Sequence, residues 1–317
     1  MTNLKGFTTF GDSTVTNDIR ENLMSFFDYG LLEKNAFVNV EIPSTGYYDG
    51  LEHKLSVVDD PRYTYGQVWE GFRSNWVWES GLGALTSTDD AYPGVSGVYV
   101  NDTFYPTSTT GTYSHHINHP LGRVVFDTAI DTDSEVSCEY SYKYINVTRA
   151  DGLDFFKQIQ QRSERSENNN FVNNSGEWDI LADNRLQLPA IGIELINSRK
   201  MAPFALGGGQ YVRTDFLFHC IAEDAYVRDH LLDIVSLQKE STFYSYNLDQ
   251  ISANNVFPLD YRGVPVSGAL DYPQLISNYK GYKIRIMDVG FDAVYDLTPN
   301  IHVGTVKITT ESILFGV

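Results

Sequence analysis

Basic residues are scarce in this chain. Its 317 residues hold 23 Lys and Arg against 41 Asp and Glu, which gives a formal net charge of −18 at pH 7. No cluster of Lys or Arg offers a surface for phosphates. Sequence-specific binding of nucleic acid is therefore excluded as the expected function. An acidic wall past which DNA slides without sticking remains compatible with this charge.

Long apolar runs and cysteines are also few. No stretch of about 18 apolar residues marks a transmembrane helix. Met1–Phe10 lacks the basic start and apolar core of a secretory signal, so we expect none. Only Cys138 and Cys220 occur, each in a strand-like run. We expect two buried free thiols, because a chain of this size does not need a disulfide.

Catalytic motifs are missing as well. The sequence contains no GxSxG and no HExxH, and Gly207-Gly208-Gly209 is followed by Gln210-Tyr211 where a phosphate loop needs Lys and Ser or Thr. Asp131–Glu135 alternates carboxylates as calcium loops do, but Val136 stands where that loop needs Gly. A solvated turn is the expectation for this segment.

Three histidines form the strongest metal candidate. His115, His116 and His119 give an HHxxH pattern, and three imidazoles can bind Zn²⁺. The metalloprotease arrangement needs a Glu beside the first His on a helix, whereas Asn118 and Pro120 favour a surface turn between two strands. We therefore predict no catalytic, cofactor-binding or metal residues, no cofactor and no enzymatic activity. A metal hydrolase at His115 is the alternative.

Aromatic residues are plentiful. They make up 14% of the chain, within 42% hydrophobic residues overall, and such rings favour half-buried pleated surfaces. The composition excludes a disordered chain. The length, at roughly 150 residues per domain, predicts two domains. We place a β-rich domain with an N-terminal helix at 1–150 and an α+β domain at 151–317.

The first half reads as a helix followed by antiparallel hairpins. Asn17–Leu32 carries one apolar stripe of helical spacing. Gly97–Tyr105 predicts a hairpin turning at Asn101-Asp102. A second hairpin is predicted between Gly122–Asp127 and one long strand, Val136–Val147, of alternating polarity.

Between these elements, Leu55–Leu82 concentrates aromatic side chains. We interpret this segment as core or as an interface between subunits. Alternatively its tryptophans form a stacking platform for sugar rings. The candidate interface residues are Trp69, Phe72, Trp76 and Trp78.

The second half predicts an antiparallel sheet with a helix packed on one face. The predicted elements, in order, are strands Leu188–Ile196 and Gln210–Ala222, helix Ala225–Lys239, and strands Tyr282–Tyr295 and His302–Phe315. An Asn-rich polar segment, Ser163–Trp178, precedes them and predicts an exposed arm.

This second half resembles the tail-terminator and neck proteins of tailed bacteriophages. The resemblance lies in LPAI, the stretch MAPFALGGGQYVRTDFLFHCIAED, the helix AYVRDHLLDIV and the ending TESILFGV. A Pro-x-x-Leu-Gly turn, Pro203–Gly207, precedes the long strand and adds Pro203, Leu206 and Gly207 to the candidate interface. GVYVNDTFYP and EYSYKYINV in the first half resemble β-modules of phage virion proteins.

The resemblance implies a virion structural protein assembled in the host cytoplasm. It implies a homo-oligomeric ring, a hexamer, at the head–tail junction around the DNA channel. Its implied partners are further copies of itself, the connector and the tail tube or sheath, with non-specific passage of DNA and no membrane. It brings no catalytic residues. The alternatives are a head-closure, collar or baseplate component, or a β-rich carbohydrate-binding or adhesin module using Trp69, Trp76 and Trp78.

Overall fold

The fold is described by a computed structural model covering residues 14–43, 50–79, 81–85, 94–151, 159–160, 164–165, 171–172, 186–204, 209–298 and 301–314. It is a β-rich α+β fold, as predicted, with small antiparallel sheets in the first half and a curled sheet with helices in the second. One detail differs. The second-half sheet is mixed, because a single parallel pair joins it to the first half.

The predicted N-terminal helix is α1, Val15–Glu33. Thr14 caps it by accepting a hydrogen bond from the backbone N–H of Asn17, which satisfies one of the unpaired donors of the first turn. Ile19, Leu23 and Phe27 form its buried stripe. The stripe packs on the second-half sheet rather than on the hairpins that follow it in sequence.

The described first half contributes ten short strands. These strands, β1–β10, are Phe37–Val40, Ser56–Val58, Val68–Glu70, Gly97–Val100, Thr103–Pro106, His115–Asn118, Arg123–Phe126, Val136–Ser137, Tyr140–Lys143 and Asn146–Arg149. They form sheets ordered β2-β3-β7-β6, β5-β4-β8 and β1-β9. The predicted β4–β5 hairpin is confirmed: Asn101 and Asp102 both have positive φ, as a two-residue primed turn requires.

The second predicted hairpin is wrong in its pairing. β7 pairs with β6 and β3, and the predicted partner strand Val136–Val147 is broken into β8, β9 and β10. Each piece joins a different neighbour, namely β4, β1 and β15 (Ala190–Pro203). The alternating polarity holds as far as Tyr140, but Tyr144 is exposed. Partners distant in sequence therefore divide a segment that reads as one strand.

The second half is built on one six-stranded sheet. Its strands follow two pairs of two-residue strands, β11–β14: Ile159–Gln160, Glu164–Arg165, Phe171–Val172 and Leu186–Gln187. The larger strands, β15–β19, are Ala190–Pro203, Gln210–Ala222, Thr242–Tyr246, Lys280–Thr298 and Ile301–Leu314. The sheet order is β10-β15-β16-β19-β18-β17. Most of the predicted arm Ser163–Trp178 lies outside the described residues.

Three helices accompany this sheet. Helix α2, Ala225–Ser236, is the predicted one, and α3, Leu248–Asn254, and α4, Tyr272–Asn278, were not predicted. The backbone of Gly304 lets α2 approach closely, because a Cβ on that glycine would lie 2.6 Å from Leu232 Cδ1.

Both α1 and α2 cover the same face of the sheet. They enclose a core with the inward residues of β15, β16, β18 and β19, including Phe216, Phe218, Val306 and Ile308. Strand β10 contacts this core through α1 and β15. Strand β9 is joined to α1 by the ion pair of Lys143 with Asp28. The boundary placed near residue 150 stays a prediction, and α1 makes its main contacts across it.

Candidate functional site

Two long strand edges stand out in the six-stranded sheet. β15 pairs with β10 only through residues 190–193, and β18 pairs with β17 only through residues 280–285. Beyond those points, no strand among the described residues pairs with the outer side of either. We call residues 194–203 the β15 edge and residues 288–298 the β18 edge. Unpaired edges carry free N–H and C=O groups that can bind another strand.

Apolar side chains are exposed along both edges. On the β18 edge, Phe291 is 64% and Val294 55% exposed, with Tyr295 and Leu297 also exposed. The β15 edge ends in Met201 and Pro203, with Phe204 directly after the strand, and Met201 and Phe204 are each 48% exposed. Apolar residues grouped in this way indicate an interaction surface rather than scattered surface hydrophobics. The full set is Met201, Pro203, Phe204, Phe291, Val294, Tyr295 and Leu297.

The two edges differ in charge. The β18 edge contains Asp288, Asp292 and Asp296 and no Lys or Arg, whereas the β15 edge contains the exposed pair Arg199-Lys200 and one carboxylate, Glu194. Of the three aspartates, Asp288 lies 3.1 Å from Lys239 and Asp296 lies 2.6 Å from His302. Three bulges interrupt the pairing of β18 with β19, near residues 287, 292 and 297. Bulges and like charges discourage an edge from pairing with its own copy, and they leave it open to an edge of opposite charge.

The edges lie at diagonal corners of the sheet and run in opposite directions. Pro203 of β15 pairs with Gln210 of β16, which pairs with Leu314 of β19, so the β15 edge reaches one end of the sheet. Thr298 of β18 pairs with Ile301, at the other end. The three steps from β15 through β16 and β19 to β18 are each antiparallel. The β15 edge of one copy can therefore lie antiparallel to the β18 edge of a copy placed beside it.

The face of the sheet opposite α1 and α2 is polar over much of its area. Its ionised groups are paired within the face. Glu194 accepts from His219 at 2.8 Å, Asp215 lies 2.8 Å from Lys307 Nζ, and Glu311 contacts both Arg213 and the Tyr211 hydroxyl. Towards β14 this face is covered by Leu186, Leu188 and Ala190 in a small core.

The predicted interface residues are dispersed. Trp69 and Trp76 are only 3% and 1% exposed and lie in the first-half core, where Trp76 stacks on Tyr140 with ring centroids 4.2 Å apart. Phe72 and Trp78 are half-buried and Pro203 is exposed at the β15 edge. Leu206 and Gly207 lie outside the described residues. The interface role of this set stays a prediction, and Phe291 and Val294 were missed.

The predicted sugar platform is not formed by three tryptophans together. Trp69 donates its indole N–H to Gly66 O at 3.0 Å and Trp76 donates to Arg73 O at 2.7 Å, so both indoles are used inside the chain. Of these three tryptophans, Trp78 lines a cavity in the described part of the chain, beside α1 and α4. The aromatic density of this segment therefore serves mainly the core.

The predicted turn between two strands is confirmed only in part: His119 lies in the turn that joins β6 to β7, but its side chain is buried, and the other two histidines lie on β6. His115 and His116 are adjacent on strand β6, so their side chains point to opposite faces. His119 is buried, with Nδ1 3.2 Å from Gly263 O and Nε2 accepting from Val95 N–H. Burial lowers the pKa of all three, that of His119 to about 4. Within the described residues, no three His, Cys, Asp or Glu are placed to hold a metal ion.

Two smaller predictions are confirmed. Asp131–Ser134 is a turn in which Asp131 Oδ1 accepts from Asp133 N–H. Cys138 and Cys220 are buried free thiols, and burial raises the pKa of Cys220 to about 12. Neither thiol is available for chemistry at neutral pH.

Comparisons with known proteins give no match. No protein-family model matches the chain, and no curated protein matches it significantly. None of the helices in the described part of the chain is long and apolar enough to cross a membrane.

Proposed function

We propose that this protein is a virion structural protein that forms a ring by pairing the β15 edge of each copy with the β18 edge of the next. The observation that carries the proposal is the pair of edges: apolar, opposite in charge, antiparallel and at diagonal corners. A contact between two different surfaces of the same chain is heterologous, and it gives a closed ring when the rotation between copies closes.

The diagonal placement suits a closed ring. Pairing the two edges shifts each copy along the strand direction relative to its neighbour. In a closed sheet the same stagger accompanies strands that tilt from the ring axis. β10 already covers the rest of the outer side of β15, and β17 covers the rest of the outer side of β18. These two strands therefore limit the pairing between copies at its two ends. The bulges in β18 add the curvature that closure needs.

The finer proposal is a tail terminator or connector, six copies around the DNA channel at the head–tail junction. With α1 and α2 on the outside, the polar face of the sheet lines the channel. The net charge of −18 supports DNA passage, because an acidic ring repels phosphate. The charges on the polar face itself are of both signs and paired. The repulsion of DNA phosphate therefore comes from the net charge of the whole chain and not from this face. The same edges would serve a head-closure, collar or baseplate ring.

Paired cysteines test the edge contact in the full chain. A double variant, Met201→Cys with Val294→Cys, is expected to cross-link under oxidation into a ladder that stops at the ring number. Each single variant is expected to stay unlinked, and a mixture of the two singles is expected to stop at dimers. A Val294→Cys single variant that links to itself would show an isologous contact and overturn the proposal.

A charge on the edge tests the same contact without cross-linking. Val294→Lys is expected to convert the ring to monomers with unchanged circular dichroism. Tyr261→Lys is the matched control, because Tyr261 is 96% exposed away from either edge. Native mass spectrometry and electron microscopy give ring number and channel. A wild-type chain that stays monomeric at high concentration, or that is missing from purified virion necks, contradicts the proposed function.

A further inference from the structure

A cavity of about 150 Å³ lies between α1, α3 and α4, away from the two sheet edges. Its walls come from distant parts of the chain: the middle of α1, the segment after β3, the end of β17 and residues 248–275. It has no role in the proposed ring contact. Its lining is therefore free to serve a ligand.

Five aromatic side chains contribute to the wall. The ring centroid of Tyr272 lies 6.2 Å from that of Tyr29 and 6.2 Å from that of Tyr246, the latter edge to face. Trp78 and the exposed Phe257 are the other two aromatic residues of the lining. The apolar part of the wall also includes five aliphatic residues, Leu248, Ile251, Pro258, Leu270 and Leu275. The negative faces of several such rings around one small volume attract a cation.

Two carboxylates reinforce this attraction. Asp28 and Glu79 both line the cavity, and both bind Lys143, whose Nζ lies 2.6 Å from Asp28 Oδ2 and 2.9 Å from Glu79 Oε1. Two carboxylates and one ammonium sum to −1 when all are ionised. No Lys, Arg or His is among the described residues that line the cavity. The group thus keeps an excess negative charge beside the tyrosines.

The rim adds to the negative potential. Burial and then the charges of Asp271, Glu33 and Glu79 raise the pKa of Tyr29 above its ordinary value. Asp271 precedes α4 and Glu33 ends α1, so these charges come from two different elements near Tyr29. A neutral apolar ligand would gain nothing from this field.

Part of the hydrogen-bonding capacity of the lining is engaged within the chain. Ser25 Oγ and the Tyr246 hydroxyl are bonded to each other at 2.9 Å, and both carboxylates are bonded to Lys143. Glu79 also accepts from Trp78 N–H. A quaternary ammonium has no N–H donor, so its binding depends on the aromatic rings and on the net charge and leaves these bonds in place.

We infer that the cavity lined by Tyr29, Trp78, Tyr246, Phe257 and Tyr272, beside the Asp28–Lys143–Glu79 group, binds a quaternary ammonium ligand. The inference does not depend on the proposed ring. The aromatic walls supply the cation–π contact, and the excess carboxylate supplies the charge.

Choline and its neutral isostere, 3,3-dimethylbutan-1-ol, test the inference by calorimetry on the full chain. They share shape and differ in charge. Choline is expected to bind about tenfold more tightly, which is within the range of cation–π contacts. Equal binding of the two would show a merely apolar cavity and overturn the inference. Tighter binding of propylammonium than of choline would overturn the quaternary assignment.

Ring variants test the walls. Tyr272→Phe keeps the aromatic face and is expected to retain choline binding, whereas Tyr272→Leu is expected to lose about tenfold. Phe257→Leu provides a second variant that does not threaten the fold, since Phe257 is 46% exposed. Its expected loss is severalfold. Tyr261→Leu, far more exposed and outside the lining, is the control. Unchanged binding in both Leu variants of the wall would overturn the inference.

Discussion

The side-chain amide of Asn22 forms two hydrogen bonds with the backbone of Tyr246, 224 positions away in the sequence. Its Nδ2 donates to Tyr246 O at 3.2 Å, and its Oδ1 accepts from Tyr246 N–H at 2.8 Å. At the end of β17, α1 thereby provides the hydrogen bonds to the strand backbone that a neighbouring strand would otherwise provide. Asn22 is fully buried, so both bonds form away from water. This pair fixes α1 to the sheet and closes one side of the tyrosine-lined cavity.

Asn22→Ala is expected to destabilise the fold by about 2–4 kcal/mol, because it leaves a buried backbone donor and acceptor without partners. Urea unfolding at fixed protein concentration measures the change. Asn17→Ala is the matched control: the same substitution on the same helix at an exposed position. Its expected cost is below about 1 kcal/mol. Equal costs for the two variants would contradict the role given to Asn22.

The long strands of the second-half sheet could be predicted from sequence because each has its own signal. Gln210–Ala222 alternates in burial from Val212 to Phe218, and the observed strand has the predicted bounds. β17, by contrast, was not predicted: it has only five residues, and its sequence, Thr-Phe-Tyr-Ser-Tyr, does not alternate apolar with polar residues, although its burial alternates over the first four. Its place follows from Asn22 and from β18, which are both distant in sequence. Pairing with residues distant in sequence leaves no local pattern in the strand itself. Distant partners also explain why Val136–Val147 is divided into three strands.

A charge in the α2 core is expected to unfold the second half. Leu231 is fully buried against the sheet, so Leu231→Asp places an unpaired carboxylate in an apolar core, at a cost of about 4 kcal/mol or more. Thermal unfolding of the full chain measures it. Tyr226→Asp, on the same helix but 80% exposed, is expected to change stability by less than about 1 kcal/mol. A folded Leu231→Asp variant with unchanged melting temperature would contradict the core assignment.

The candidate surfaces were less predictable than the sheet. The aromatic density of Leu55–Leu82 drew attention to tryptophans that turn out to fill the core. Phe291 and Val294 lie in a strand whose alternation reads like that of any half-buried strand. They are exposed because, among the described residues, no strand pairs with the outer side of β18 past the part that β17 covers. This is a property of the sheet topology. Tyr29, Tyr246 and Tyr272 meet only in three dimensions.

Lys143 holds two carboxylates in the interior. Lys143→Met would leave Asp28 and Glu79 facing each other without a cation, at an expected cost of about 3–5 kcal/mol at pH 7. Burial already raises the pKa of Asp28, and the charge of Glu79 raises it further. The deficit should therefore shrink as the pH falls and Asp28 takes up a proton. Urea unfolding at pH 7 and pH 5 measures both effects.

Lys54→Met serves as the control for that variant. Lys54 pairs with Glu135 at 2.5 Å, but both side chains are largely exposed. Pairs of this kind contribute below about 1 kcal/mol. If Lys143→Met cost no more than Lys54→Met, the buried group would not be the ionised triad on which the excess negative charge depends.

His119 gives the fold an acid-sensitive point. Its ring is enclosed beside Gly94, where a Cβ would lie 2.3 Å from Nε2 at a φ of +98°, and burial lowers its pKa to about 4. In the unfolded chain the pKa returns to about 6.5. Between these values the unfolded state binds the extra proton, so stability is lost as the pH falls from above 6.5 towards 4. Between pH 7.5 and pH 5 this one ring accounts for about 2 kcal/mol.

His119→Gln removes that titration. We expect the variant to be less stable than the wild type at pH 7.5, because the ring packs in the core, and to lose about 2 kcal/mol less on acidification. Burial also lowers the pKa values of His53, His115 and His116, so part of the pH dependence remains in the variant. His230→Gln, at an exposed position on α2, is the control for the same substitution outside the core. Urea unfolding at both pH values gives the slopes. A His119→Gln variant with the wild-type slope would mean that His119 is protonated in the fold or reaches water.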